Sequence, residues 1–145
     1  MIHLIGIIIT GHGHFASGIA STIKLLSGTQ EKLTAVDFTE GMTADELQQK
    51  LGQAVHAFGD VSGVAFFTDI PGSTPFNQAV IYHTAHSETT VMAGTNVSMV
   101  MEVLFQRELS VAQFTTVAIQ AGKAGVVAYK NHPRKTAPAD DEDGI

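Results

Sequence analysis

The stretch LIGIIITGHGHFASG, Leu4 to Gly18, decides the fold. A short run of branched apolar residues closed by Thr10 and Gly11 reads as a strand buried on both faces, the kind found in parallel sheets. Its exit carries two histidines, His12 and His14, one position apart and each beside a glycine. Glycine removes the side chains that would crowd an approaching molecule, so an imidazole placed here is reachable as a base, a ligand or a nucleophile. Beyond the histidines, Phe15, Ile19, Ile23 and Leu26 recur at helical spacing, and Gly28 closes the segment.

The same unit recurs along the chain. LTAVDF (Leu33 to Phe38) is a second strand, and Thr43 with Glu46 forms a capping box ahead of a helix whose inward face is Leu47, Leu51, Val55 and Phe58. GVAFFTD (Gly63 to Asp69) is a third strand, followed by PGSTPFN, in which Thr74 is placed to cap a helix and Pro75 to occupy its first position. TTVMAG (Thr89 to Gly94) is a fourth, with Asn96 as cap for a helix bearing Val97, Val100, Met101 and Leu104. A last helix, Val111 to Ala121, leads through Gly122 to AGVVAYK, a short fifth strand.

This alternation specifies an α/β domain of right-handed βαβ units: a four-stranded parallel sheet of order 2-1-3-4, flanked by helices. The fifth strand, short and late, is expected to lie antiparallel at an edge or to pair with another subunit. Residues 1–130 form the domain, and residues 131–145, with two prolines and clustered charge, read as a flexible acidic tail.

Composition narrows the function. With no cysteine there is no thiolate metal site or cysteine nucleophile, which fits a reducing, cytoplasmic setting. The formal charge of -6 argues against nucleic acid as partner. Part of that charge is local: Asp140, Asp141, Glu142 and Asp143 stand together, and Met1 to Lys130 carries only -4. The longest apolar run near the start falls well short of the roughly 18 residues that would span a bilayer.

In an open parallel sheet, ligands bind beyond the C-terminal ends of the strands, where neighbouring loops diverge. TGHGHF after strand one and DIPGSTPFN after strand three open onto one crevice in the order 2-1-3-4, and each runs into a helix start that favours an anion. His12 then stands beside Asp69, with Gly13, His14, Gly72, Ser73 and Thr74 offering phosphate or partner contacts. An Asp69 that accepts from Nδ1–H of His12 presents Nε2 and its lone pair to a phosphoryl donor. Backbone amides at the two helix starts would suffice for such a transfer without metal or cofactor.

These residues carry a resemblance. TGHGHFASGI, FFTDIPGSTPFNQA and AGTNVSMVME, collinear over Met1 to Lys130, resemble the IIA domain of the mannose/fructose/sorbose family of sugar phosphotransferase systems (PTS). The resemblance implies a phosphotransferase component that accepts phosphate from the phosphocarrier HPr on His12 and hands it to a IIB protein. The membrane proteins IIC and IID are served only indirectly, and a fifth antiparallel strand is exchanged within a homodimer. Two departures are visible. Some relatives have a tryptophan in the Asp69 loop where this chain has Pro71, and others fuse IIB through an Ala/Pro linker whereas this chain ends at Ile145, which implies a separate IIB. TGHGHFASG and the acidic tail are more similar to stand-alone IIA proteins of N-acetylgalactosamine and galactosamine systems than to glucose/mannose ones.

Other readings compete with this one. His12 and His14 could share zinc, but the three or four ligands of a zinc site are not supplied by any further spacing, so no metal is expected. A non-covalent nucleotide- or flavin-binding module would use the same anion-friendly loops, yet neither G-x-x-x-x-G-K-[ST] nor G-x-G-x-x-G is present. A phosphocarrier subunit of a dihydroxyacetone kinase shares fold and histidine placement, but PGSTPFN favours the sugar system. His83 reads as a half-buried structural residue on the face of Phe76 and Val80.

Overall fold

A computed structural model describes residues 2–131. Four strands, β1 (Ile5–His12), β2 (Leu33–Phe38), β3 (Gly63–Thr68) and β4 (Thr89–Met92), form one sheet of order β2-β1-β3-β4. All three strand pairings are parallel. The helices are α1 (Phe15–Ser27), α2 (Ala44–Phe58), α3 (Thr74–Ala85), α4 (Val97–Val103) and α5 (Val111–Ala124). The architecture and strand order are those the sequence implies.

The isoleucine run works because both faces of β1 are covered. Ile5, Ile7 and Ile9 enter a core with Ile23, Phe67, Val100 and Phe114, whereas Ile8 enters a second core with Leu47, Leu51, Phe58 and Phe66. All four isoleucines have no exposed surface, and burying each such side chain contributes about 1.5–3 kcal/mol. Gly6 belongs to the same logic: a Cβ there would lie 2.6 Å from the Phe58 ring.

Several helix boundaries follow from caps seen in the sequence. Thr43 and Glu46 make the reciprocal capping box of α2, and Asn96 accepts the Met99 N–H to cap α4. A further box, Ser110 with Gln113, starts α5, which runs three residues past the expected end at Ala121. The start of α3 differs from expectation. Ser73 is the N-cap and Thr74 the first helical residue, so Pro75 falls one position later. Ser73 caps through backbone geometry alone, because its hydroxyl is donated to the Ile70 carbonyl. Along α1, Ile23 is buried, but Leu26 is 42% exposed.

The fifth strand does not form within this single chain. Among the described residues the sheet has four strands, and the segment after Gly125 joins none of them, with Val126, Val127 and Tyr129 exposed. A strand exists only beside a hydrogen-bonded neighbour, and this single chain presents none to that segment. The acidic tail lies outside the described residues.

Arg107 locks the end of the sheet opposite the histidines. Its buried guanidinium donates from Nε to the Ile5 carbonyl at 2.9 Å and from its two terminal nitrogens to the carbonyls of Glu31 and Lys32, each at 2.8 Å. It thereby ties the entry of β1 to the turn that leads into β2.

Candidate functional site

Register brings the two flagged loops together. Thr10 pairs with Thr68, so Asp69 leaves β3 alongside Gly11, next to His12. Asp69 Oδ2 accepts the His12 backbone N–H at 2.8 Å and faces His12 Nδ1 at 2.7 Å, while Oδ1 accepts the Ile70 N–H at 2.8 Å. Burial raises the Asp69 pKa. The bonds from the His12 N–H, the His12 ring and the Ile70 N–H, with the charge of His12, outweigh that effect and hold the carboxyl below its ordinary value. An ionised carboxylate only accepts, so Nδ1 carries a proton, and in the neutral ring Nε2 keeps its lone pair.

The ring is fixed yet reachable. The His12 side chain is 47% exposed, against 10% for Asp69, and its ring packs edge-on against Phe38 at 5.8 Å between centroids. Gly11 permits the close approach: a Cβ there would stand 2.5 Å from the Phe15 ring and 3.0 Å from the Asp69 carboxylate. Gly13 has a φ of 60°, a conformation cheap for glycine, and its N–H reaches the Phe38 carbonyl at 2.8 Å.

His14 occupies the N-cap of α1 without making a side-chain cap bond. Its ring instead lies on a second carboxylate, with Nδ1 3.1 Å from Asp37 Oδ2. Asp37 in turn accepts the Ser17 N–H at 2.9 Å and the Ser17 hydroxyl at 2.7 Å, so it caps α1 from the neighbouring strand. Burial raises the Asp37 pKa as well, and the bonds from Ser17 and His14 hold it below the ordinary value. Asp37 and Ser17 were not singled out in the sequence. The available signal was positional: Asp37 is the penultimate residue of β2, at the same edge of the sheet at which Asp69 follows β3.

The α3 side is placed less simply. Gly72, at a φ of 80°, makes the turn, and its carbonyl accepts from Asn77 Nδ2 at 3.1 Å. Ser73 is tied back to Ile70 through both hydroxyl (2.7 Å) and N–H (3.2 Å), so its hydroxyl donates within its own loop rather than into the crevice. Thr74 begins the helix, where the backbone N–H has no intrahelical partner. His83, expected to be half-buried, is exposed, with Nδ1 2.6 Å from the Thr89 hydroxyl. Among the described residues no three His, Asp or Glu side chains gather to hold a metal, and no helix is long and apolar enough to cross a membrane.

Comparison with known proteins bears on this arrangement. The family described as "PTS system fructose IIA component" matches residues 6–119. The PTS system mannose-specific EIIAB component of Escherichia coli K12 is 34% identical over 140 residues, covering 93% of this chain and 43% of that protein. This chain therefore spans less than half of that relative. The PTS system fructose-specific EIIA component of Bacillus subtilis is 33% identical over 105 residues, 72% of each chain. Among solved structures, EIIA from Streptococcus agalactiae superposes with a TM-score of 0.79 at 30% identity, covering 86% of this chain and 97% of that one.

Proposed function

Because the chain belongs to the family of PTS fructose IIA components, a family of sugar phosphotransferase components, we propose that His12 is its phosphoryl acceptor. His12 takes the group from phospho-HPr and passes it to a IIB unit, which serves the membrane components IIC and IID. The carrier acts in the cytoplasm during sugar uptake.

One observation carries this reading: the 2.7 Å pair of His12 Nδ1 with Asp69 Oδ2 at the C-terminal edge of the sheet. It leaves Nε2 as the nucleophile. As Nε2 attacks phosphorus, the donor's P–N bond breaks and the ring becomes positively charged, and Asp69 offsets that charge while keeping the Nδ1 proton. The transferring group carries charge on its peripheral oxygens. Backbone N–H groups at the starts of α1 and α3, together with those of Gly72 and Thr74, supply fixed donors for them, while the Gly13 N–H is engaged by the Phe38 carbonyl. Neither loop holds the lysine that a P-loop nucleotide site would require.

The exposed apolar segment Val126 to Tyr129 supports pairing with a second copy of the chain. Sedimentation equilibrium that finds only monomer would remove that part of the proposal.

The test of the whole is incubation with phosphoenolpyruvate, enzyme I and HPr, followed by mapping of acid-labile phosphate. The expected result is phosphate on His12 Nε2. A chain that takes no phosphate overturns the reading.

A further inference from the structure

Asp37 and His14 repeat, on the other side of β1, the pairing that Asp69 and His12 make. Asp37 is paired with Gly11 across one edge of β1, and Asp69 follows the Thr10–Thr68 pair across the other. Each carboxylate faces the Nδ1 of one histidine, at 3.1 Å for His14 and 2.7 Å for His12. Each is held in place by backbone N–H groups, from Ser17 in one case and from His12 and Ile70 in the other.

The chemical consequence is the same in both. A carboxylate that only accepts places the proton on Nδ1 and leaves the lone pair on Nε2. The His14 side chain is 82% exposed against 47% for His12, so its Nε2 is open to another molecule. The ring has no capping task to perform, since Asp37 takes the Ser17 N–H that a cap would satisfy. Residues two apart have Cα atoms within about 7 Å of each other. A protein that brings a phosphohistidine to His12 brings it near His14 as well.

We propose that His14 is a second phosphoryl acceptor of this chain, taking the group on Nε2 from a protein phosphohistidine. The inference rests on the reading of His12 given above. In the step, the donor's P–N bond breaks, a bond from phosphorus to His14 Nε2 forms, and the electron pair of the broken bond returns to the donor ring. The Nδ1 proton stays between His14 and Asp37, whose charge balances the phosphoimidazolium. The reaction is slower than at His12, because a ring standing mostly in water has fewer fixed donors around the transferring group.

The experiment uses phospho-HPr generated from phosphoenolpyruvate and enzyme I, with phosphate located by tandem mass spectrometry at alkaline pH. The variants are His12→Ala, His12→Gln, the double variant His12→Ala/His14→Ala, and Asp37→Asn in the His12→Ala background. Wild type is expected to gain phosphate first on His12 and, on long incubation, a second group on His14. His12→Ala retains acid-labile phosphate on His14, formed at least about 100-fold more slowly than the wild-type label. Asp37→Asn slows that residual reaction a further tenfold or so, and the double variant stays blank. A His12→Ala or His12→Gln protein with a native circular dichroism spectrum and no phosphate on His14 overturns the inference. If wild type is then labelled on His12, the reading of His12 survives; a wild type labelled nowhere overturns both.

Discussion

Oδ2 of Asp69 accepts the backbone N–H of His12 at 2.8 Å and faces the ring Nδ1 of the same residue at 2.7 Å. One oxygen thus sets both where the end of β1 lies and which ring nitrogen is free. Asp69→Asn cannot reproduce this arrangement. Asparagine has one acceptor oxygen, and with that oxygen on His12 its NH2 would confront the Ile70 N–H. The expected outcome in rapid-quench phosphorylation is a rate lower by about 10²–10⁴. A loss smaller than about threefold would remove the orienting role from Asp69.

Gly11→Ala tests the same pair from the backbone. The added methyl would meet the Phe15 ring at 2.5 Å and the Asp69 carboxylate at 3.0 Å, so one of them must move. Stability should fall by about 1–3 kcal/mol in urea unfolding. The phosphorylation rate should fall by about tenfold or more as the His12–Asp69 geometry loosens. An unchanged rate would mean that Phe15 alone absorbs the displacement.

Acid should expose the two carboxylates. Asp37 and Asp69 both titrate below their ordinary value of 3.8 in the folded chain. A depressed folded pKa contributes stability that is present above the unfolded value and is lost as pH falls through the folded one. Wild type should therefore lose more stability between about pH 5 and about pH 2 than Asp37→Asn or Asp69→Asn does. Urea midpoints across that range check this, and parallel pH profiles would contradict it.

Arg107→Ala separates stability from chemistry. Removing the buried guanidinium withdraws three charge-assisted bonds from the carbonyls of Ile5, Glu31 and Lys32. The cost should be on the order of 3 kcal/mol by urea unfolding, with the phosphorylation rate of the folded fraction unchanged. A large rate loss in the folded variant would link this end of the sheet to the site.

Much of this was legible in the chain because local rules and the global fold agree. The Ile5–Ile9 run needed cover on both faces, and the Thr43–Glu46 box and the Asn96 cap act within a single turn. His12 and Asp69 were readable together because strand order alone makes their loops neighbours. Asp37 was not, since a polar residue near the end of a half-buried edge strand looks like an ordinary solvent-facing position, and its partners Ser17 and His14 lie about 20 residues away. Arg107 was hidden for a similar reason: its acceptors are 75 to 102 residues distant. Ser73 displaced Thr74 as cap because its carbonyl accepts the first helical bond, from Asn77. The last segment read as a short strand following the final helix, but pairing depends on a neighbour that the sequence of one chain does not supply.

The most direct measurement is the initial rate of phosphoryl transfer from phospho-HPr to wild type and to His12→Ala, with the wild-type site mapped at the earliest time point. The first phosphate is expected on His12 Nε2, with an initial rate in the variant at least about 100-fold lower. A His12→Ala protein that accepts phosphate at the wild-type initial rate, or a wild type labelled first on another residue, would contradict it.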